Sequence, residues 1–97
     1  MIVELSRRAR ADLGSIWRYS VERWSEDRAD VYQRELAATF SMCAEYPDVG
    51  VAQPTFGEGV RTIVSGSHIV FYRRKGSGIY VIRILHQSQD GKRHLLK

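Results

Sequence analysis

The sequence predicts an α+β fold of order β-α-α-β-β-β, a helical hairpin packed on a small antiparallel sheet. Three observations carry this. Apolar residues recur at helical spacing through residues 7–45, the spacing changes to alternation after residue 60, and Gly- and Pro-bearing breaks separate the segments. At 97 residues the chain has room for one core, so a single domain over 1–97 is expected.

The elements follow in order. Ile2-Val-Glu-Leu5 reads as a short strand that must join a larger sheet to be stable. Ser6 is placed to cap a helix from Arg7 to about Trp24, with Ala9, Leu13, Trp17 and Trp24 on one apolar face and Ile16 and Val21 beside it. Gly14 weakens that helix by about 1 kcal/mol relative to Ala. Ser25-Glu-Asp27 breaks it and caps a second helix, about Glu26 to Glu45, on which Ala29, Tyr32, Leu36, Phe40 and Cys43 repeat at three or four. Pro47 cannot continue it, and the short connection between the helices makes an antiparallel hairpin. Asp48 to Gly59, with Gly50, Pro54, Gly57 and Gly59, reads as a loop. Val60–Ser65, His68–Arg74 and Ile79–Leu85 then read as a meander, turning at Gly66-Ser67 and at the four residues Lys75–Gly78. The last strand ends at about residue 85, and 86–97 is a polar, basic tail.

Composition narrows the function. One cysteine, Cys43, excludes an intrachain disulfide and a cysteine-based zinc site, and no metal-ligand spacing or cofactor motif stands out. No apolar run approaches the roughly 20 residues of a membrane span, and the N-terminus lacks a signal-peptide pattern, so a cytoplasmic location is expected. Residues 1–48 carry seven Arg against nine Asp/Glu, a net −2; residues 49–97 carry eight Arg/Lys against Glu58 and Asp90, a net +6. A basic C-terminal half fits an acidic partner or a solvated basic surface.

Four stretches share a likeness: Leu5-Ser-Arg-Arg-Ala-Arg-Ala-Asp-Leu13, Ile16-Trp-Arg-Tyr19, Gly66-Ser-His-Ile-Val-Phe-Tyr72 and Ile82-Arg-Ile-Leu-His-Gln87. With the element order, they resemble the RelE/ParE toxin superfamily, its ParE branch in particular, from Ile2 to about Asp90. The resemblance implies the toxin of a type II toxin–antitoxin pair. It implies a ParD-like antitoxin as partner, DNA gyrase as target, and inhibition by binding with no cofactor.

The residues also allow other readings. RNA cleavage by 2′-OH attack needs a base, a cation and an acid, and His68, His86, Tyr72, Tyr80, Arg61, Arg73 and Arg83 supply such groups. The pattern departs from the ribonuclease branch, because Ile69 follows His68 where a basic residue is usual, and no Tyr follows Tyr80. His86 and Arg83 are the catalytic candidates of that alternative, a ribosome-dependent mRNA endoribonuclease. A diverged toxin that serves only as co-repressor is a third reading. His86 also reads as a strand-end histidine bonded to nearby backbone, and His68 as a turn-packing residue.

The reading adopted is a binding toxin without catalytic residues. Target contact is expected from Arg83 to the tail, at Arg83, His86, Gln87, Lys92 and Arg93. Antitoxin contact is expected at Trp17, Trp24, Tyr32, Arg61 and Arg73, where aromatic and Arg side chains make hot spots. Trp17 reads first as core packing, with the binding surface as its alternative, and Arg61 and Arg83, if they share a face, make a basic sheet surface. Cys43 reads as a small core residue, and direct nucleic-acid binding is not expected, because no basic recognition helix is evident.

Overall fold

The computed structural model describes residues 2–95. Strand β1 (Val3–Leu5) passes through one residue, Ser6, into helix α1 (Arg7–Arg23). The Ser6 hydroxyl accepts the Ala9 N–H at 2.9 Å and donates to the Ile82 carbonyl at 2.6 Å. One side chain therefore caps the helix, worth about 1 kcal/mol, and ties it to the last strand. Ser25 caps α2 (Glu26–Glu45) by accepting the Arg28 N–H, and Glu26 and Asp27 sit where the helix dipole favours acids.

The sheet has five strands, β2 (Val51–Ala52), β3 (Arg61–Ser65), β4 (His68–Lys75) and β5 (Gly78–His86) joining β1 in the order β1-β5-β4-β3-β2. The expected meander is present, with three differences. The segment read as a loop contributes β2 and a 3₁₀ turn at Pro54–Phe56; two paired residues are too few to show a period. The turn between β4 and β5 has two residues, because Lys75 already pairs with Gly78. β1 runs parallel to β5, so the sheet is mixed; strand direction here follows from docking of the hairpin, which local pattern does not encode.

The helices cover one face of the sheet. Leu36, Phe40 and Cys43 of α2 meet Val70, Tyr72, Ile79, Val81 and Ile84 there. On α1 the buried positions are Ala9, Ile16 and Ser20, with Leu13 packed against the core; Trp17 is half-buried and belongs to neither apolar cluster, and Trp24 is 54% exposed. The apolar face of α1 is thus rotated from the Leu13–Trp17–Trp24 line that the sequence predicts, since Ser20 is small enough to sit inside. Burial pushes the Cys43 thiol pKa up, in keeping with a core role.

The opposite face holds a smaller cluster of Val60, Phe71 and Leu85, with Phe56, Ile69, Ile82 and Leu95 against it. Leu95 arrives on a short helix, α3 (Gly91–Leu95), so the tail is in part folded onto the sheet. A bulge opposite Phe71/Tyr72 leaves Ile82 out of register and passes the helix-facing positions from Ile79 and Val81 to Ile84.

Tyr72 locks the turn after α2 to the sheet. It is fully buried, donates to the Pro47 carbonyl at 2.9 Å and accepts the buried Gly50 N–H at 2.8 Å. A Cβ at Gly50 would stand 2.6 Å from that hydroxyl, so only glycine fits. Tyr72→Phe is expected to cost about 1–3 kcal/mol in urea unfolding, the cost of orphaning a buried amide. Unchanged stability would show that the hydroxyl is not needed there.

Candidate functional site

Where β1 stops, the upper half of β5 keeps β4 on one side and has no strand on the other. Ser6 takes over first, its N–H donating to the Val81 carbonyl at 2.9 Å. Asp12 of α1 then accepts the Ile84 N–H at 2.9 Å and grips Arg83 through both carboxylate oxygens, at 2.9 and 3.0 Å. Both side chains of this pair are only 15% exposed. Arg83 further donates to the His94 carbonyl at 3.4 Å, so one guanidinium joins α1, β5 and α3. The charge in the last strand is met by a carboxylate, one of the outcomes that its position demands. Asp12 was missed from the sequence; its signal is being the one acid among Arg7, Arg8 and Arg10.

Beyond this pair a groove of about 680 Å³ opens between α1, the start of α2 and the end of the sheet, lined among others by Tyr19, Arg23, Trp24, Tyr32, His68 and His86. The sheet register sets His68 of β4 directly opposite His86 of β5, with ring centroids 5.4 Å apart and edge to face. The Tyr32 hydroxyl lies 2.6 Å from His68 Nδ1, accepts the Ser67 N–H at 3.0 Å, and is 3.2 Å from the Ser65 carbonyl. Gly66 makes this approach possible: its φ is +59°, and a Cβ there would strike the Tyr32 ring. His86 is exposed; its Nδ1 accepts the Ser88 N–H at 3.1 Å and lies 2.7 Å from the Ser88 hydroxyl. It is the strand-end histidine bonded to neighbouring backbone that its position predicts. His68 likewise packs at the turn.

Burial, reinforced by His86, lowers the pKa of His68, with Asp12 opposing. A histidine depressed in the folded state takes its proton first in the unfolded chain. Its contribution to stability is therefore whole above about pH 6.5 and is lost as pH falls below that value. The melting temperature is expected to fall between about pH 7.5 and 5.5 more steeply in the parent than in His68→Gln. Equal slopes would contradict the assignment.

The other predicted residues scatter. Arg61 donates to the Gly50 carbonyl at 2.8 Å and lies 3.7 Å from Asp48, on the side of Tyr72. Arg73 stacks over Tyr80 at 4.8 Å, on the face away from the helices. Arg61 and Arg83 each have their own carboxylate, so the joint basic sheet surface is not formed. Trp24 and Tyr32 do meet in the groove, and Trp17 is not among its lining residues. Gln87, Lys92 and Arg93 are exposed on the tail, where Asp90 accepts the Lys92 N–H at 3.0 Å to start α3; residues 96–97 of the predicted contact segment lie outside the described residues. Among the described residues no group of three His, Cys, Asp or Glu side chains could hold a metal ion, and no helix is long and apolar enough to cross a membrane.

The chain is thus a small α+β domain, a capped helical hairpin on a five-stranded mixed sheet, with a basic C-terminal helix held through Asp12 and Arg83. The family model for the ParE toxin of type II toxin–antitoxin systems, parDE, matches residues 3–91, and the chain belongs to that family. Toxin ParE1 of Caulobacter vibrioides is 50% identical over 91 residues, 94% of each chain. Toxin ParE1 of Mycobacterium tuberculosis is 41% identical over 92 residues, again 94% of each. A solved structure titled as the chromosomal ParDE TA system from P. aeruginosa superposes with a TM-score of 0.74 over 89% of this chain and 95% of that one; at 24% identity it shows the shared fold.

Proposed function

We propose that this ParE-family toxin inhibits DNA gyrase by binding, and that a ParD-like antitoxin neutralises it. The observation that carries binding over catalysis is the state of the two groups the ribonuclease reading needs. Arg83 is spent on Asp12, and His86 Nδ1 is turned back onto Ser88. Arg83 would have to leave Asp12 before it could hold a phosphate, and His86 would have only its Nε2 for acid–base work. The 50% identity to a toxin ParE1 over 94% of both chains supports the same reading.

Target contact is assigned to the exposed end of β5 and the tail, through His86, Gln87, Lys92 and Arg93. Arg83 acts there as a positioning residue, holding α3 through the His94 carbonyl. The antitoxin places an amphipathic helix on the hairpin and in the groove, against Trp24, Tyr32 and the flank of Trp17. Tyr19 and Trp24 leave apolar surface exposed in that groove, as a chain that is covered by a partner should. The antitoxin chain then extends along the sheet toward Arg61, while Arg73 lies on the opposite face, off that path.

His86→Gln separates the readings in a growth assay, with antitoxin binding as the folding check. A contact residue loses toxicity in a graded way, about tenfold; a general acid–base loses about 100-fold or more. A loss of the second size, with mRNA cleavage abolished alongside, would overturn the binding reading.

A further inference from the structure

On the face away from the helical hairpin, the first turn of α1, β5 and α3 enclose a second, smaller pocket of about 400 Å³. Ile82 and Leu95 give it an apolar floor, and Tyr80, Arg7, Arg8 and Arg83 stand around it. Arg83 is held by Asp12, but Arg7 and Arg8 are exposed and have no ion pair among the described residues. Arg73 and Lys75 lie over the Tyr80 ring, at 4.8 and 5.2 Å, and extend the positive rim. The acids beside these cations are Asp12, on Arg83, and Glu4, on Lys75.

The placement of Arg7 and Arg8 runs against local stability. No acid occupies the first turn of α1, where the dipole favours acids and opposes arginines. A sequence that breaks a local rule without compensation nearby is where an external partner is to be sought. The chemistry of the pocket then selects among partners. The exposed cations call for negative charge. The apolar floor calls for an aliphatic side chain beside it. Arg73 and Lys75 already stand over the Tyr80 ring, where they compete with a nucleobase for stacking.

We propose that this pocket binds an acidic polypeptide segment, seating an aliphatic side chain on Ile82 and Leu95 while neighbouring Asp or Glu carboxylates pair with Arg7 and Arg8. This deepens the reading of the chain as a toxin that acts by binding, and gives it a second contact surface beside the exposed end of β5. The pocket can be read without gyrase, so its failure and the failure of the gyrase assignment are distinguishable.

The test is fluorescence anisotropy of a labelled peptide of alternating Glu and Leu, with a Gln-Leu peptide as neutral control. Three proteins are compared: the parent, the double variant R7E/R8E, and R34E, which reverses an exposed charge on α2 away from the pocket. Circular dichroism checks that each is folded. The proposal expects the acidic peptide to bind the parent and R34E alike, and R7E/R8E at least about tenfold more weakly. The same double variant is expected to lose growth inhibition while keeping its antitoxin affinity. Equal binding of the two peptides, or equal loss in R34E, would overturn the proposal. So would a short DNA duplex that binds through Arg7 and Arg8 where the acidic peptide does not, since the surface would then be one for nucleic acid.

Discussion

Ending the chain after Gln87 is expected to abolish growth inhibition and leave antitoxin binding largely intact. The truncation removes α3 with Lys92 and Arg93, and with it the cationic end of the assigned target surface. Two contacts of hot-spot size, about 2 kcal/mol each, compound to roughly a thousandfold in affinity. The groove that carries Trp24 and Tyr32 stays, although Ser88 and Gln89 leave its rim. The cut also uncovers apolar surface, because Leu95 packs with the Phe71 cluster and Gly91 lies against Phe56 and Phe71. A milder companion, K92E/R93E, keeps α3 and reverses only the charges, which removes that ambiguity. Loss of toxicity in both with antitoxin affinity retained, measured by titration calorimetry, fits the account. Full toxicity of the truncated chain would sink the assignment of target contact to the tail.

Asp12→Ala is expected to destabilise the fold by about 2–3 kcal/mol, the cost of losing charge-assisted hydrogen bonds in a part-buried pair. Two losses add up. Arg83 keeps its charge with its side chain 15% exposed, and the Ile84 N–H at the bare edge of β5 loses its acceptor. For a domain of this size each kcal/mol moves Tm by about 4–8 °C, so a fall of roughly 8 °C or more is expected in a thermal melt. The double variant D12A/R83M should recover much of it, since Met fills the space without a charge to solvate. Equal stability of parent and D12A would show that the pair is solvated and carries little.

The course of the helices was legible because its determinants are local. Ser6 and Ser25 accept the amides that their positions promise, and Pro47 stands where α2 has ended. What escaped is what acts across the chain. Asp12 meets Arg83 at a separation of 71 residues, and no window of sequence contains both. β2 is paired at only two residues, too short for a period to show. Trp17 lies beside the core and Ser20 within it, because the buried face of α1 is set by how the hairpin docks on the sheet, which the helical period alone does not state. The meeting of His68 with His86 depends on one inserted residue. A two-residue turn at Gly76-Ser77 alone would set His68 opposite Leu85, and the bulge at Ile82 advances the register to His86. The end of the last strand was readable as a candidate contact surface; the groove beside it was not, because it takes α1, α2 and the sheet together to enclose it.

The most direct test of the account is gyrase supercoiling with purified toxin, with and without its antitoxin. The account predicts inhibition, or accumulated cleaved DNA, that the antitoxin reverses and that truncation after Gln87 removes. Undiminished supercoiling in the presence of folded, antitoxin-binding toxin would contradict it, and cleavage of mRNA on ribosomes by the same preparation would give the function to the ribonuclease reading.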